Sequence, residues 1–320
     1  MNQLSSLSNR PGLGVVLMLA AAVAFAGTNV LQSVLPWQFG MSSTGMAFWQ
    51  YVIATVFALP LIARIGLDKL RTRHPLTHEI RAFVSALGVH VFVYGFASGV
   101  PIWQMVTLLA TGPLFILLGS VLFLGERASL ARIIASLVAF AGAIIVSGVG
   151  AEGLSWTTLV PIFAAALWAT TDVLTKHLSR KGESPETLTL SLLVLVTPNH
   201  LLILLLVTAL GAFAPGLLPA GVTTGFPLQL PEGTGRALLA LLGLLTALAQ
   251  YLLAFAYKVA DAAYLQPFGD SKVPLSGLLG WVFVGQIPSN WFWLGAALII
   301  GASVFLYYAE ADRRPKLAAA

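Results

Sequence analysis

Apolar residues in this chain are concentrated in long runs, and short polar segments separate one run from the next. Most runs extend for about 20 residues, the length that an α-helix needs to cross the hydrocarbon core of a bilayer. We therefore predict an all-α integral membrane protein with ten transmembrane helices. The predicted spans cover residues 13–35, 43–63, 81–99, 102–124, 131–149, 157–178, 188–210, 236–257, 262–285 and 291–309.

The composition narrows the class of protein further. Hydrophobic residues make up 58% of the 320 residues and charged residues 9%, whereas about a quarter of a typical soluble domain is charged. The first apolar run is too long for a cleaved signal peptide and lacks its cleavage pattern. The absence of cysteine excludes disulfides and thiolate metal sites. No P-loop, H-E-x-x-H or G-x-S-x-G motif occurs, so we predict neither an enzyme nor an ATP-driven pump, and no cofactor.

Positive charges orient the predicted helices. Fifteen of the 17 Lys and Arg residues fall on one side of the ten-span arrangement, whereas Arg236 alone falls on the other and Lys272 lies within a span. By the positive-inside rule both termini are cytoplasmic, in a multi-pass protein of the bacterial inner membrane. Nine or eleven spans would scramble this sorting. The basic residues lie in short loops without interleaved aromatics, which argues against nucleic-acid binding.

The two halves of the sequence resemble each other. AAAVAFAGTNVLQSVL in the first span matches AAALWATTDVLTKHL in the sixth at a shift of 143 residues, which aligns Asn29 with Asp172. LGSVLFLGERAS at 118–129 matches LLGWVFVGQIPS at 278–289 at a shift of 160. The additional residues fall in the Pro- and Gly-rich segment 211–235, which we predict to be a long outer loop. Five spans per half imply an inverted-topology repeat with a substrate site near the midplane.

Two charged residues stand out within the ninth span. Asp270 and Lys272 lie near mid-membrane, where an ionised side chain costs about 2.5–3.5 kcal/mol on insertion scales. We expect both to face a water-filled cavity and to bind substrate, since Gly269, Pro267 and Pro274 would make the helix irregular there. The alternative is that each one pairs with another helix.

Two segments also carry a family resemblance. TGPLFILLGSVLFLGERASLARIIASLVAFAGAIIVSG at 111–148 and PFGDSKVPLSGLLGWVFVGQIPSNWFWLGAALIIGAS at 267–303 resemble the EamA-type domain of the drug/metabolite transporter superfamily. The resemblance implies two five-helix repeats, at 12–149 and 155–309, around a central cavity with alternating access. The chain departs from the pattern at Gln50, in FWQY, where these proteins often have an arginine, and at Gln286, where the first half has Glu126.

The resemblance also assigns polar and aromatic residues to the cavity. As substrate-binding candidates besides Asp270 and Lys272 we take Gln50, Tyr94, Trp103, Gln104, Thr107, Trp168, Tyr251, Tyr264 and Gln266. As gating or proton-linked candidates we take Asp172, Asn29, His90, Pro113 and Pro274. Simpler explanations remain open: an i, i+4 ion pair of Asp172 with Lys176, and an interhelical hydrogen bond for His90.

We therefore predict a secondary transporter for small polar or zwitterionic metabolites, with amino acids or their derivatives favoured and export slightly favoured over import. Its expected partners are the small-molecule substrate and membrane lipids, with a homodimer possible. The alternatives are a membrane-embedded lipid-handling protein or enzyme, and a membrane scaffold without transport activity. A lipid substrate would require a lateral opening and a headgroup site near one face, whereas charges at the midplane favour a soluble solute.

Overall fold

The computed structural model describes residues 10–147, 156–219, 222, 228–260 and 262–311. Within these ranges the secondary structure is helical, and no β-strand occurs. Two short 3₁₀ helices, Leu67–Leu70 and Pro215–Leu217, lie between the α-helices. The α-helices are α1 Pro11–Phe39, α2 Ser43–Ile65, α3 Pro75–Ala97, α4 Ile102–Leu109, α5 Gly112–Leu124, α6 Leu130–Ser147, α7 Trp156–Arg180, α8 Pro185–Phe213, α9 Thr234–Val259, α10 Ala262–Asp270, α11 Lys272–Val284 and α12 Asn290–Ala311.

Each predicted span corresponds to one helix or to a pair of helices. The fourth span consists of α4 and α5, and the ninth consists of α10 and α11. In the described residues, eight helical segments are long and apolar enough to cross a membrane, with α4 and α5 taken together, and Leu130–Val146 is a shorter apolar helix. The ninth span, which a turn at Ser271 divides into α10 and α11, is not among the eight.

The breaks in spans four and nine occupy matching positions. Thr111 lies in the first break and Ser271 in the second, at the 160-residue shift seen in the sequence. The helices that follow end alike: Gly125 after α5 and Gly285 after α11 have φ values of 63° and 74°. This left-handed conformation favours glycine, and it lets the next backbone N–H bond back to a helix carbonyl. The 160-residue shift therefore relates the two spans in local structure as well as in sequence.

Helices of the first half, α1–α6, pack mainly against helices of the second half, α7–α12. Helix α1 contacts α9, α10 and α11, and α7 correspondingly contacts α3, α4 and α5. Helix α2 contacts α9, and α8 contacts α3. Exchanging the two halves converts each of these contacts into another one, as a two-fold relation between the halves requires.

Helices α6 and α12 cross at two glycines. A Cβ atom on Gly142 would lie 2.9 Å from the Gly295 carbonyl oxygen, and one on Gly295 would lie 2.7 Å from the Gly142 carbonyl oxygen. Ala135, Ala139 and Ala302 continue this contact as small buried side chains. In a bilayer, small residues of this kind let helix backbones approach closely enough for dispersion to hold them together.

The segment predicted as a long outer loop, 211–235, is partly helical. Helix α8 extends into it as far as Phe213, the 3₁₀ helix Pro215–Leu217 follows, and α9 begins at Thr234. Residues 220–221 and 223–227 of this segment lie outside the described residues.

Candidate functional site

The two ends of the helix bundle differ in how tightly their core-facing surfaces are packed. In α1, residues 28–35 are all buried. In α7 the matching segment 171–178 is looser, and Asp172 is exposed. Asp172 follows Trp168 and Ala165 by one and two helical turns, on the side of α7 that faces the protein. Its exposed surface therefore belongs to an internal cavity and not to the lipid-facing surface.

Helix α9 opens in the same way towards its carboxyl end. Gly243 and Thr246 are buried, whereas Gln250, Ala254 and Tyr257 are exposed although they continue the same face at spacings of three and four residues. The side chain of Tyr257 is 43% exposed. The carboxyl half of α9 thus lines the same cavity as Asp172.

Helices α10 and α11 and the middle of α1 contribute further groups to the cavity. Gln266 of α10 is exposed, and Lys272, the first residue of α11, is half-buried. The Lys272 ammonium lies 6.0 Å from the ring centroid of Phe25, which is itself partly exposed. At this distance a cation is attracted to the face of an aromatic ring. The cavity therefore combines an aromatic surface with a positive charge.

Asp270 and Lys272 have different surroundings, although they are two residues apart. Asp270 is buried and accepts hydrogen bonds from Gln266 Nε2, at 3.0 Å, and from the Ser303 hydroxyl of α12. Its carboxylate therefore joins α10 to α12. Lys272 lies on the far side of the turn at Ser271, where it starts α11 next to the cavity. The expected irregularity near Gly269 is thus present at Ser271.

Asp172 lies close enough to the Lys272 ammonium and the Arg81 guanidinium to interact electrostatically with both. Tyr257 is likewise within electrostatic range of Asp172 and Asp270. These charged and polar groups come from α3, α7, α9, α10 and α11, so that both halves of the molecule contribute to one polar cluster.

Arg81 stands behind this cluster and is 1% exposed. Its guanidinium donates hydrogen bonds to Thr175 Oγ1 at 3.1 Å, to Ser191 Oγ at 3.0 Å and to the Leu188 carbonyl. It therefore ties α3 to both α7 and α8. A buried guanidinium requires such a set of acceptors, because desolvation of an unpaired charge is costly.

Gln50 and Asn29 occupy buried polar contacts at the opposite, tightly packed end. Gln50 accepts a hydrogen bond from Gln32 at 3.0 Å and donates one to Thr246 Oγ1 at 2.9 Å. Asn29 donates to Ser276 Oγ at 3.0 Å, which links α1 to α11. These bonds connect the two halves in the conformation described.

His90 is hydrogen-bonded between helices. Its Nε2 atom lies 3.0 Å from Nδ1 of His200, and the His200 ring stacks on Tyr51 with centroids 4.3 Å apart. Both histidines are buried. This arrangement connects α2, α3 and α8 at a place separate from the cavity described above.

Several aromatic candidates lie elsewhere. Tyr94 lines a second, open cavity of about 730 Å³ with Ser98, Trp156, Thr157 and residues 216–219. Trp103 packs edge-on against Phe292, at 6.2 Å between centroids, and its carbonyl accepts a hydrogen bond from Thr107. Gln104 follows on α4 and is half-buried.

The remaining candidates occupy the helix surfaces and the two breaks. Tyr251 shares the exposed side of α9 with Leu244 and Leu248, seven and three residues before it, which points it towards lipid. Tyr264 packs against Tyr307 of α12, with centroids 5.5 Å apart. Pro113 and Pro274 lie in the first turns of α5 and α11, directly after the breaks.

Lys176 has a different partner from the one considered in the sequence. Its ammonium lies 2.6 Å from a Glu126 carboxylate oxygen, and Arg180 contacts the other oxygen. The hydrogen bond from Lys176 and the charges of both cations lower the pKa of Glu126, which outweighs the opposing effect of its partial burial. This contact fastens the α5–α6 loop to the end of α7 and leaves Asp172 to the cavity.

The sequence interpretation missed Phe25, Arg81, Gln250 and Tyr257 as site residues. The 143-residue shift also aligns Phe25 with Trp168, and Gln250 is a polar residue within an apolar span, so the sequence carried some signal for both. Arg81 was counted only as a topological charge, and Tyr257 lies beside Lys258 at the end of a span, where an interfacial tyrosine is expected. In the described residues no group of three or more His, Cys, Asp or Glu side chains could hold a metal ion.

Comparisons with known proteins agree with this architecture. Residues 12–148 and 155–308 each match the EamA-like transporter family. The chain is 43% identical to a riboflavin transporter of Rhizobium johnstonii over 99% of this chain and 98% of that protein. It is 38% identical to a riboflavin transporter of Vibrio cholerae over 94% of this chain and 95% of that protein.

More distant similarities extend over nearly the same length. An S-adenosylmethionine uptake transporter of Rickettsia bellii is 25% identical over 93% of this chain and 94% of that protein. A solved crystal structure with 19% identity covers 91% of this chain and 94% of its own, with a TM-score of 0.59, and supports the fold alone.

Proposed function

The chain belongs to the EamA-like transporter family and is a small-molecule transporter of the inner membrane, not an enzyme, and on this premise we propose that it takes up riboflavin. The observation that carries the proposal is the similarity, over nearly the full length of both chains, to relatives named as riboflavin transporters. Relatives named for S-adenosylmethionine uptake are less similar. The word uptake in their names favours import for this chain, in place of the export that the sequence slightly favoured.

The chemistry of the cavity suits such a substrate. Riboflavin is uncharged, with a flat aromatic ring system at one end and a chain of hydroxyl groups at the other. Phe25 offers a partly exposed ring on which an aromatic system can stack. Gln250 and Gln266 offer exposed amides that can both donate and accept hydrogen bonds from hydroxyl groups.

The difference between the two ends of the bundle supports alternating access. The carboxyl halves of α7 and α9, which surround the open cavity, end beside Arg180 and Lys258, on the predicted cytoplasmic side. At the other end, residues 28–35 and the Gln50 contacts close the path. Transport then requires the halves to rock so that this end opens and the cytoplasmic end closes. The turns near Thr111 and Ser271 are places where spans four and nine can bend.

A zwitterionic metabolite, such as an amino acid derivative, is the second candidate. The observation that favours it is the presence of Lys272 and Asp172, opposite charges in one cavity. A zwitterion would present an anionic group to Lys272 and a cationic group to Asp172, whereas the sequence had suggested Asp270 for the second role.

Uptake by a riboflavin auxotroph and by proteoliposomes tests the proposal. We expect radiolabelled riboflavin to accumulate only when the protein is present, and we expect excess unlabelled riboflavin, but not a mixture of amino acids, to compete. Membrane abundance of the protein must be equal in all samples. If folded protein moves no riboflavin, the proposal is wrong; if amino acids compete or are themselves taken up, the zwitterion candidate replaces it.

A further inference from the structure

Three polar side chains in the cavity are not hydrogen-bonded to any of the residues that the structure describes. Among the described residues, none donates to or accepts from Asp172, Tyr257 or Lys272, although each of the three is exposed or half-buried. The neighbouring acid Asp270 is different, because Gln266 and Ser303 already satisfy it. Polar groups that are free in a membrane-embedded cavity are available to bind a solute.

The hydrogen-bonding roles of these three side chains form a pattern. The Lys272 ammonium can only donate, the Asp172 carboxylate accepts, and the Tyr257 hydroxyl can donate. Asp172 lies within electrostatic range of both Lys272 and Tyr257. Two donors, one on α11 and one on α9, therefore lie in the same cavity as the acceptor.

The pyrimidine end of the flavin ring has the complementary pattern. Its edge consists of a carbonyl, an N3–H group and a second carbonyl, which is acceptor, donor, acceptor. The remainder of the ring is flat and apolar, and the partly exposed Phe25 ring lies beside Lys272. A flavin with its pyrimidine edge at Asp172 would thus place aromatic surface near Phe25.

We propose that Asp172 accepts a hydrogen bond from the imide N3–H of the substrate while Lys272 and Tyr257 donate to the two flanking carbonyl oxygens. The three side chains then determine specificity for molecules with an imide edge, and the hydroxyl chain contributes less. This inference rests on the proposed riboflavin transport and specifies how that substrate is recognised.

Competition by two flavin analogues tests whether the pyrimidine edge is recognised, without changing the protein. Lumiflavin keeps the pyrimidine edge and lacks the hydroxyl chain, whereas 3-methylriboflavin keeps the chain and lacks the N3–H donor. In proteoliposomes that transport riboflavin, we expect lumiflavin to compete and 3-methylriboflavin to compete roughly ten-fold less well than riboflavin, as loss of a hydrogen bond to a charged acceptor predicts. Equal competition by riboflavin and 3-methylriboflavin would refute the inference and leave riboflavin transport standing.

The variant Asp172→Ala then tests whether Asp172 is the residue that accepts the hydrogen bond from the imide N3–H. We expect weaker riboflavin transport and, more specifically, a ratio of 3-methylriboflavin to riboflavin competition that approaches one. Asp172→Asn keeps a carbonyl acceptor and should keep most of the discrimination. Asp68→Ala, at an exposed acid in the 3₁₀ helix Leu67–Leu70, is the matched control and should leave the ratio unchanged. If the Asp172→Ala variant prefers riboflavin over 3-methylriboflavin as strongly as the wild type does, another residue accepts the N3–H and the assignment to Asp172 is wrong.

Failure of the proposed function gives a different result. In that case wild-type proteoliposomes transport no riboflavin, and the analogues have nothing to compete with. A merely structural role for Asp172 is also distinguishable, because it would lower the rate for all flavins and leave the ratio between the analogues as it is in the wild type.

Discussion

At the scale of single residues, the polar groups of this protein divide into those that hold helices together and those that remain free in the cavity. Asp270 and Arg81 belong to the first group, because both form hydrogen bonds to neighbouring helices. Lys272 and Asp172 belong to the second. The free charges cost stability in a membrane, which is expected of residues kept for binding.

Replacement of Lys272 by methionine should separate binding from stability. The variant Lys272→Met removes a costly charge, so the thermal unfolding temperature in detergent should be retained or should rise. Riboflavin transport should fall at least ten-fold, because the substrate loses a cationic donor. Lys69→Met, at an exposed lysine outside the spans, serves as the control and should change neither quantity. A large loss of stability with retained transport would make Lys272 a structural residue.

Glu126 predicts a dependence of stability on acid pH. Its pKa is lowered in the folded protein by the hydrogen bond from Lys176 and by Arg180. The stabilisation is therefore complete above the ordinary pKa of 4.5 and is lost as the pH falls through the lower folded value. Glu126→Gln should lower the unfolding temperature by roughly 1–3 °C at pH 7, since partly exposed ion pairs contribute little.

The decisive measurement is the difference between wild type and Glu126→Gln at each pH. We expect this difference to be constant from pH 7 to about pH 5 and to shrink at lower pH. Asp68→Asn provides the comparison at an exposed acid. A difference that stays near zero at every pH would show that the ion pair with Lys176 and Arg180 is absent in solution.

At the scale of the elements, the spans meet in two distinct ways. Helices α6 and α12 approach closely through small residues, whereas the carboxyl halves of α7 and α9 leave space around the cavity. The close pair provides a fixed contact between the halves, and the loose end is where accessibility can change. The break in span nine supplies Lys272 to the cavity at this loose end.

The α6–α12 crossing can be tested with a pair of glycine substitutions in one helix. In Gly295→Leu the Cβ atom would lie 2.7 Å from the Gly142 carbonyl oxygen and 2.3 Å from Val146 Cγ2, so the helices must separate. We expect a loss of about 1–3 kcal/mol in stability, as for other overpacked sites. Gly301→Leu, in open space on α12, should be nearly neutral. Equal unfolding temperatures for the two variants would contradict this packing.

At the scale of the whole molecule, the two halves are related in sequence, in helix breaks and in contacts, yet they are not equally packed. Residues 28–35 are all buried, whereas the matching segment 171–178 is less tightly packed and exposes Asp172. Because the halves are related, either half can adopt the tightly packed arrangement while the other adopts the looser one. Alternating access results when the two halves exchange these arrangements.

Thiol labelling should reveal which side the cavity faces. The chain has no cysteine, so Ala254→Cys introduces a single thiol on the cavity side of α9. We expect a charged, membrane-impermeant maleimide to label it faster in inside-out than in right-side-out vesicles, and riboflavin to slow the labelling. Leu244→Cys, on the lipid-facing side of α9, should react slowly in both because lipid excludes the reagent. Preferential labelling from the other side would reverse the predicted orientation.

The amino-acid sequence by itself determined the membrane class, the ten-span pattern and the family. These follow from the length of the apolar runs, from the sorting of Lys and Arg, and from the GPLF…LGER motif, all of which are local or additive properties of the chain. The family and the helical architecture are confirmed by the comparisons and the fold. The domain boundaries, the site roles and the homodimer stay predictions.

Only the tertiary structure decided which polar residues are free. Asp270 and Lys272 look equivalent in the sequence, but Ser303 lies 33 residues from Asp270 and satisfies it, whereas Lys272 reaches a cavity shared with Asp172, 100 residues away. Likewise, Lys176 forms its ion pair with Glu126 of the α5–α6 loop and not with Asp172, one helical turn away. Which partner a polar residue finds depends on the distances between helices. The spacing of residues along one helix does not give these distances.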